Sequence, residues 1–328
     1  MSATGRRHPA IAILGATLLL LAACGESGGG SESHTSGPAA GASLESASQK
    51  AAQGDLPAAV EEFRAVVVAD PANAEAHYRL GLALYESGQT REGIQALGKA
   101  VEIDPRLTDA YLALGNAYLK REDPRSAFLA FNEAVKYDPN NPSALFNLGV
   151  LHYVGGRFRE ARLILQKAAR LRPDDPEIEY RIGMARLNSG ETEEALVHLR
   201  RATELNPSHH EAWLNLGNSL LSLHRLDEAR PVLERALQVK PGWAEALNSL
   251  GVLSQAQDRD QEARQSFQQA IEADPNDMRY RFNLATLYEK TGERERALSE
   301  YEAFLAGWKG SLTASETARQ RVEALRKR

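Results

Sequence analysis

The chain has 328 residues, a formal net charge of −5 and a single cysteine. A mildly acidic balance with no lysine-rich block argues against a nucleic-acid partner. One thiol can neither close an intrachain disulfide nor supply the ligand set of a zinc or iron–sulfur centre, so its purpose is local.

That cysteine, Cys24, ends the stretch LLLLAAC. Upstream, Arg6 and Arg7 precede an uncharged, mostly apolar run from Pro9 to Ala23. This is the charged-then-apolar order of a secretory signal, and the run is too short to span a bilayer comfortably. Leu21-Ala22-Ala23-Cys24 resembles the lipobox of bacterial lipoproteins. The resemblance implies that residues 1–23 are a signal peptide, that the Cys24 sulfur receives diacylglycerol, and that the mature chain is exported and tethered to a membrane. Each buried methylene contributes about 0.8 kcal/mol, so two or three acyl chains hold stably where one would not. Loss of Arg6 and Arg7 with the signal takes the charge from −5 to −7. Gly25 follows the cysteine where aspartate commonly marks inner-membrane retention, which favours the outer membrane, facing the periplasm, in a Gram-negative cell.

Residues 24–43 then read as the lipidated cysteine and a linker. GESGGGSESHTSGPAAGAS contains no large apolar side chain and has the composition of a flexible coil. Its nineteen residues have an r.m.s. reach of about 25 Å. Gly25-Glu26-Ser27-Gly28-Gly29 matches the nucleophile-elbow pattern, but that serine needs a strand before it and a helix after it, and neither is written here.

From residue 44 onward proline sets the organisation. Pro71, Pro105, Pro139, Pro173, Pro207, Pro241 and Pro275 fall 34 residues apart without insertion or deletion. Before each stands an apolar helical pattern in two halves, separated by polar residues or by glycines such as Gly88, Gly156, Gly190 and Gly292. Each period therefore predicts two helices and a turn. Asp123-Pro124, Asn141-Pro142 and Asp175-Pro176 each pair an N-cap with proline at the first helical position.

Small residues recur in phase with the prolines: Gly81, Gly115, Gly149, Gly183, Gly217, Gly251 and Ala285 in first helices, and alanines such as Ala127 and Ala134 in second helices. Small side chains let helix backbones approach closely, while Leu80, Leu114, Leu148, Ile182, Leu216, Leu250 and Leu284 fill the spaces between. Together these positions resemble the tetratricopeptide repeat (TPR) family. The resemblance implies an all-α, right-handed superhelical solenoid of about eight 34-residue units over residues 44–310. The first repeat departs from the pattern, with Ser46 where the next repeat has Leu80, and is expected to be frayed or to serve as a cap.

An array needs a lid at each end. Residues 311–328 supply one as a C-terminal capping helix: Thr313 and Glu316 match a capping box, Ala318, Val322 and Leu325 make one apolar stripe, and the arginines and final lysine are expected to face solvent. Phe304, in place of the expected alanine, is expected to pack beneath it.

The TPR resemblance further implies a concave wall of first helices that binds peptides, tails or helices of other proteins. Apolar and aromatic positions expected to face inward are Tyr78, Tyr85, Phe146, Tyr153, Tyr180, Met184, Leu187, Leu214 and Phe282. One step along are Arg79, Ala113, Asn147, Arg181, Asn215, Ser249 and Asn283, an interrupted version of the asparagine ladder with which some relatives hold an extended peptide. Asn116, Asn147 and Arg181 fit part of the carboxylate clamp of chaperone-binding relatives, but Leu112 and Glu177 stand where that clamp has lysines. The candidate peptide site is thus Tyr78, Asn116, Phe146, Asn147, Tyr153, Tyr180, Arg181, Asn215 and Asn283.

No phosphate loop and no H-E-x-x-H pair occurs. His209-His210-Glu211 reads as a repeat junction whose side chains do not share a face. The expectation is a non-enzymatic scaffold without cofactor or small-molecule substrate, whose partners are proteins of the cell envelope and whose membrane contact is the lipid on Cys24. Pilus, secretion, outer-membrane or peptidoglycan assembly is the leading setting, exopolysaccharide export the alternative, and an enzyme accessory subunit the distant one.

Overall fold

The computed structural model describes residues 43–327, which contain seventeen helices and no strand. Cys24 and the linker up to Ala42 lie outside the described residues. The chain divides at Arg172/Pro173 into two compact units. The first holds α1 (Leu44–Ala52), α2 (Leu56–Ala69), α3 (Ala74–Glu86), α4 (Thr90–Ile103), α5 (Thr108–Lys120), α6 (Pro124–Tyr137), α7 (Pro142–Val154) and α8 (Phe158–Leu171). The second holds α9 (Pro176–Asn188), α10 (Thr192–Leu205), α11 (His210–Ser222), α12 (Leu226–Val239), α13 (Ala244–Ala256), α14 (Asp260–Ala273), α15 (Met278–Lys290), α16 (Arg294–Gly307) and α17 (Leu312–Lys327).

Many boundaries have a local cause. Proline disfavours helical backbone in the residue before it. Asp70, Asp104, Asp138, Asn206 and Asp274 accordingly leave the helix, with φ between −123° and −139°. Their side-chain oxygens then accept the N–H two residues on, as Asp104 does from Arg106 at 2.9 Å and Asn206 from Ser208 at 3.0 Å. Asp123, Asn141 and Asp175 cap α6, α7 and α9 as their sequence context predicts. Between paired helices the chain turns through one left-handed residue, at positions 54, 88, 122, 156, 190, 224, 258 and 292. Five of these are glycine, whereas Glu122, His224 and Asp258 adopt φ of 56–58° with a side chain attached.

The paired helices close on a specific fit. A Cβ added to Gly81 would lie 2.6 Å from Leu97 Cγ, and the same collision awaits Gly149 at Leu165, Gly183 at Leu199 and Gly251 at Phe267. The first-helix glycine therefore makes room above all for a large side chain sixteen residues later, and the partner backbone is close as well, with Leu97 N 3.0 Å from a Cβ on Gly81. Those large side chains are wholly buried: Leu97, Phe131, Leu165, Leu199, Leu233 and Phe267 are each 0% exposed.

The first repeat is formed, though its opening helix is short. Ala47 is buried against α2 and α3 residues, and Lys50 bridges Glu62 at 2.7 Å. At the other end Phe304, 1% exposed, packs with Ala318, Val322 and Leu325 of α17, as expected. The capping box does not form there. α17 already begins at Leu312, so Thr313 lies inside its first turn, where its carbonyl accepts the Thr317 hydroxyl at 2.9 Å. The arginines of α17 are exposed but not idle: Arg321 reaches Glu289 at 3.1 Å and Arg326 reaches Glu302 at 2.7 Å.

Candidate functional site: the first-helix wall

In the first unit α1 touches α3 and α3 touches α5, while successive second helices make no comparable contact. In the second unit α11, α13 and α15 touch in the same way. First helices thus form the tighter side over α1, α3 and α5 and over α11, α13 and α15, whereas α5 and α7 make no contact of that extent. The two stretches of wall differ in chemistry.

On α3, α5 and α7 the wall is apolar and aromatic. Tyr78 is half-buried against Leu97, Leu114 and Tyr111. Burial, reinforced by Asp109 and Glu75, pushes its phenol well above the usual tyrosine range. Tyr85 is raised too, by burial and then by Glu86, and the Lys120 ammonium sits 4.5 Å from its ring centre. Phe146 and Asn147 are half-buried neighbours on α7, and Tyr153 packs on Phe158 with ring centres 5.5 Å apart. Asn116 on α5 and Asn147 on α7 are both partly exposed, and their side chains have no hydrogen bond to any described residue. Each retains a donor and an acceptor for a ligand.

Acidic groups border this stretch. Glu75 is held by Arg79 at 2.5 Å, but Asp109 has no cationic partner among the described residues. Burial, then Glu75 and Asp138, raise the Asp109 carboxyl above its ordinary value, and burial raises Glu86 likewise. The sequence reading missed these acids. The signal for Glu75 and Asp109 was a carboxylate at the second position of the first helix, repeated in Glu177, Glu211 and Glu245.

On α9 to α15 the candidate residues are hydrogen-bonded to neighbouring side chains. Tyr180 is only 9% exposed, packs in the core, and has the His209 ring at 4.6 Å. Its hydroxyl accepts from Asn215 Nδ2 at 3.3 Å, and the same amide donates to the Glu211 carbonyl at 2.8 Å. Arg181 is bonded to Glu177 at 2.6 Å, and Asn283 donates to Asn248 at 2.7 Å. Leu214 is buried in the same core as Tyr180. The structure therefore separates the candidates into two groups: Tyr78, Asn116, Phe146, Asn147 and Tyr153 in the first unit, and Tyr180, Arg181, Asn215 and Asn283, each hydrogen-bonded to another side chain, in the second.

The His209-His210-Glu211 junction is closer knit than its sequence suggests. Glu211 reaches His209 Nδ1 at 3.2 Å and His210 Nε2 at 3.0 Å, and His209 Nε2 lies 3.3 Å from Glu177. The side chains do meet, because His209 stands before the helix as its N-cap, accepting from the Ala212 N–H. Among the described residues no group of three such side chains could hold a metal ion.

The family model for the cilia and flagella-associated protein 70 C-terminal domain matches residues 10–247, and two tetratricopeptide repeat models match residues 244–277 and 266–299. The chain belongs to the tetratricopeptide repeat family. No curated protein matches it. Among solved structures, YrrB, titled a TPR protein with an unusual peptide-binding site, is 25% identical with a TM-score of 0.53, covering 57% of this chain and 97% of its own. PilF of Pseudomonas aeruginosa is 24% identical with a TM-score of 0.55, covering 64% and 96%. A TPR repeat-containing protein from Cytophaga hutchinsonii is 18% identical with a TM-score of 0.58, covering 74% and 99%. TPR folds bind other proteins or peptides, and no catalytic family is indicated. Among the described residues no helix is long and apolar enough to cross a membrane.

Proposed function

We propose that this TPR protein is a lipid-anchored adaptor of the bacterial cell envelope that holds a partner's peptide on the wall formed by α3, α5 and α7. The observation that carries the binding reading is the pair Asn116 and Asn147, half-buried side chains whose amides have no hydrogen bond to any described residue, on helices that also carry half-buried aromatic residues. An amide can donate to and accept from an extended peptide backbone, and the flanking Tyr78, Phe146 and Tyr153 offer rings against which ligand side chains pack. The likeness to YrrB, a TPR protein described as having an unusual peptide-binding site, supports the same reading.

The anchor rests on the Leu21-Ala22-Ala23-Cys24 sequence and the linker after it. Tethering would hold the wall near membrane machinery without a spanning helix, which suits assembly of a pilus, a secretion apparatus, the outer membrane or peptidoglycan. Two experiments test the two halves. A photo-crosslinking amino acid at position 147 should capture a partner in intact cells, while one at the outward Glu61 should not; capture only from position 61 would move the site off the wall. Metabolic labelling with a tagged fatty acid should mark the protein and fail on Cys24→Ser, and label persisting on the serine variant would refute the anchor.

A further inference from the structure

The outward faces of α6 and α8 repeat one pattern. Down α6 run Arg125, Leu129, Asn132 and Lys136, and down α8, 34 residues later, run Arg159, Leu163, Gln166 and Arg170. Spacing of three or four places each set on a single helix face. Leu129 is 62% exposed and Leu163 56% exposed, neither covered by any described residue. Arg125, Arg159 and Arg170 are exposed and make no ion pair with a described residue, while Lys136 pairs with Glu133 at 2.6 Å. The pattern is confined. The same register reads Pro57, Glu61, Arg64 and Val68 in α2, Arg91, Gln95, Gly98 and Glu102 in α4, and Glu193, Val197, Arg200 and Glu204 in α10. Two adjacent second helices thus combine exposed leucine with unpaired arginine in an otherwise acidic protein.

We propose that this stripe of α6 and α8 rests on an anionic lipid bilayer, its arginines among the headgroup phosphates and Leu129 and Leu163 at the acyl boundary. Exposed apolar side chains flanked by cations are what an anionic interface takes up, and each cation near such a surface contributes about 1 kcal/mol. The bilayer, rather than an acidic protein, is the occupant because a lipid on Cys24 would put a membrane only nineteen residues before the first helix. In that respect the proposal rests on the anchoring reading.

The test uses the full protein purified from cells, with an environment-sensitive fluorescent amino acid at position 129, 163 or 61 and vesicles carrying bromine-labelled acyl chains. With phosphatidylglycerol vesicles, quenching is expected at 129 and 163 but not at 61, which holds the same register in α2. With phosphatidylcholine alone it should be absent. Arg125→Glu with Arg159→Glu should lower the ratio of quenched to unquenched protein more than tenfold, since two lost cations at about 1 kcal/mol each exceed the 1.4 kcal/mol of a decade. Mass spectrometry of the same protein reads the acyl group independently. Arginine-dependent quenching of unacylated protein would support the bilayer face while removing the anchor. Acylated, vesicle-bound protein whose positions 129 and 163 stay in water would overturn the face while leaving the anchor.

Discussion

Gly251 and Phe267 fit each other atom for atom: a Cβ on Gly251 would stand 2.5 Å from Phe267 Cδ1 and Cε1, and that ring is 0% exposed. The ring is wholly buried, so it must shift against packed neighbours to admit a methyl group. Gly251→Ala is therefore expected to destabilise by about 1–3 kcal/mol, despite alanine being the better helix former. In a Phe267→Ala background, itself lower by about 3–5 kcal/mol, the same change should become neutral or favourable. Urea unfolding of the four proteins measures the coupling, and an undiminished cost in the alanine background would show that the glycine is required for another reason.

His224 and Glu122 occupy left-handed turn positions that glycine holds in five other repeats. A non-glycine residue there costs roughly 1–2 kcal/mol, offset partly by its smaller backbone entropy in the unfolded chain. His224→Gly and Glu122→Gly should each stabilise by about 0.5–1 kcal/mol and act additively, as read by thermal melts. Asp258→Gly should gain less, because Asp258 also bonds Lys290 at 2.7 Å.

Glu177 supplies a pH signature. Burial alone would raise its carboxyl, but the hydrogen bond from His209 and the charge of Arg181 outweigh it and hold the group below its ordinary value. A depressed folded value means that the unfolded chain takes up the proton first as pH falls. The stabilisation is thus complete above the ordinary carboxylate range and is lost as pH drops through the folded value. Glu177→Gln should cost about 1 kcal/mol or more at pH 7 and progressively less below pH 4.5, in chemical unfolding across that range. A difference independent of pH would remove the charge from the account.

The 34-residue proline period and its N-caps made the helix pairs legible, because both act through neighbouring residues. What stayed hidden depended on partners far away in sequence. The asparagine row was visible with its interruptions, yet Asn215 and Asn283 are bonded within the wall because Tyr180 and Asn248 stand opposite them, whereas Asn147 of the same row, and Asn116 one turn beyond it on α5, have no such partner among the described residues. Likewise the small-residue row was visible, but its match to a side chain sixteen residues on, and to a different side chain in different repeats, required the packed helices. Thr313 misled because a capping box is defined by where the helix starts, and the Ser311–Leu312 junction starts it earlier.

The central claim is that the unbonded amides of α5 and α7 hold a partner's peptide. The decisive measurement is calorimetric affinity for the peptide recovered by crosslinking, comparing Asn116→Ala/Asn147→Ala with Asn215→Ala/Asn283→Ala at equal helicity. Each peptide hydrogen bond contributes roughly 0.5–1.5 kcal/mol, so the first pair should weaken binding about tenfold and the second by less than about threefold. Unchanged affinity in the first pair, or an equal loss in both, would contradict it.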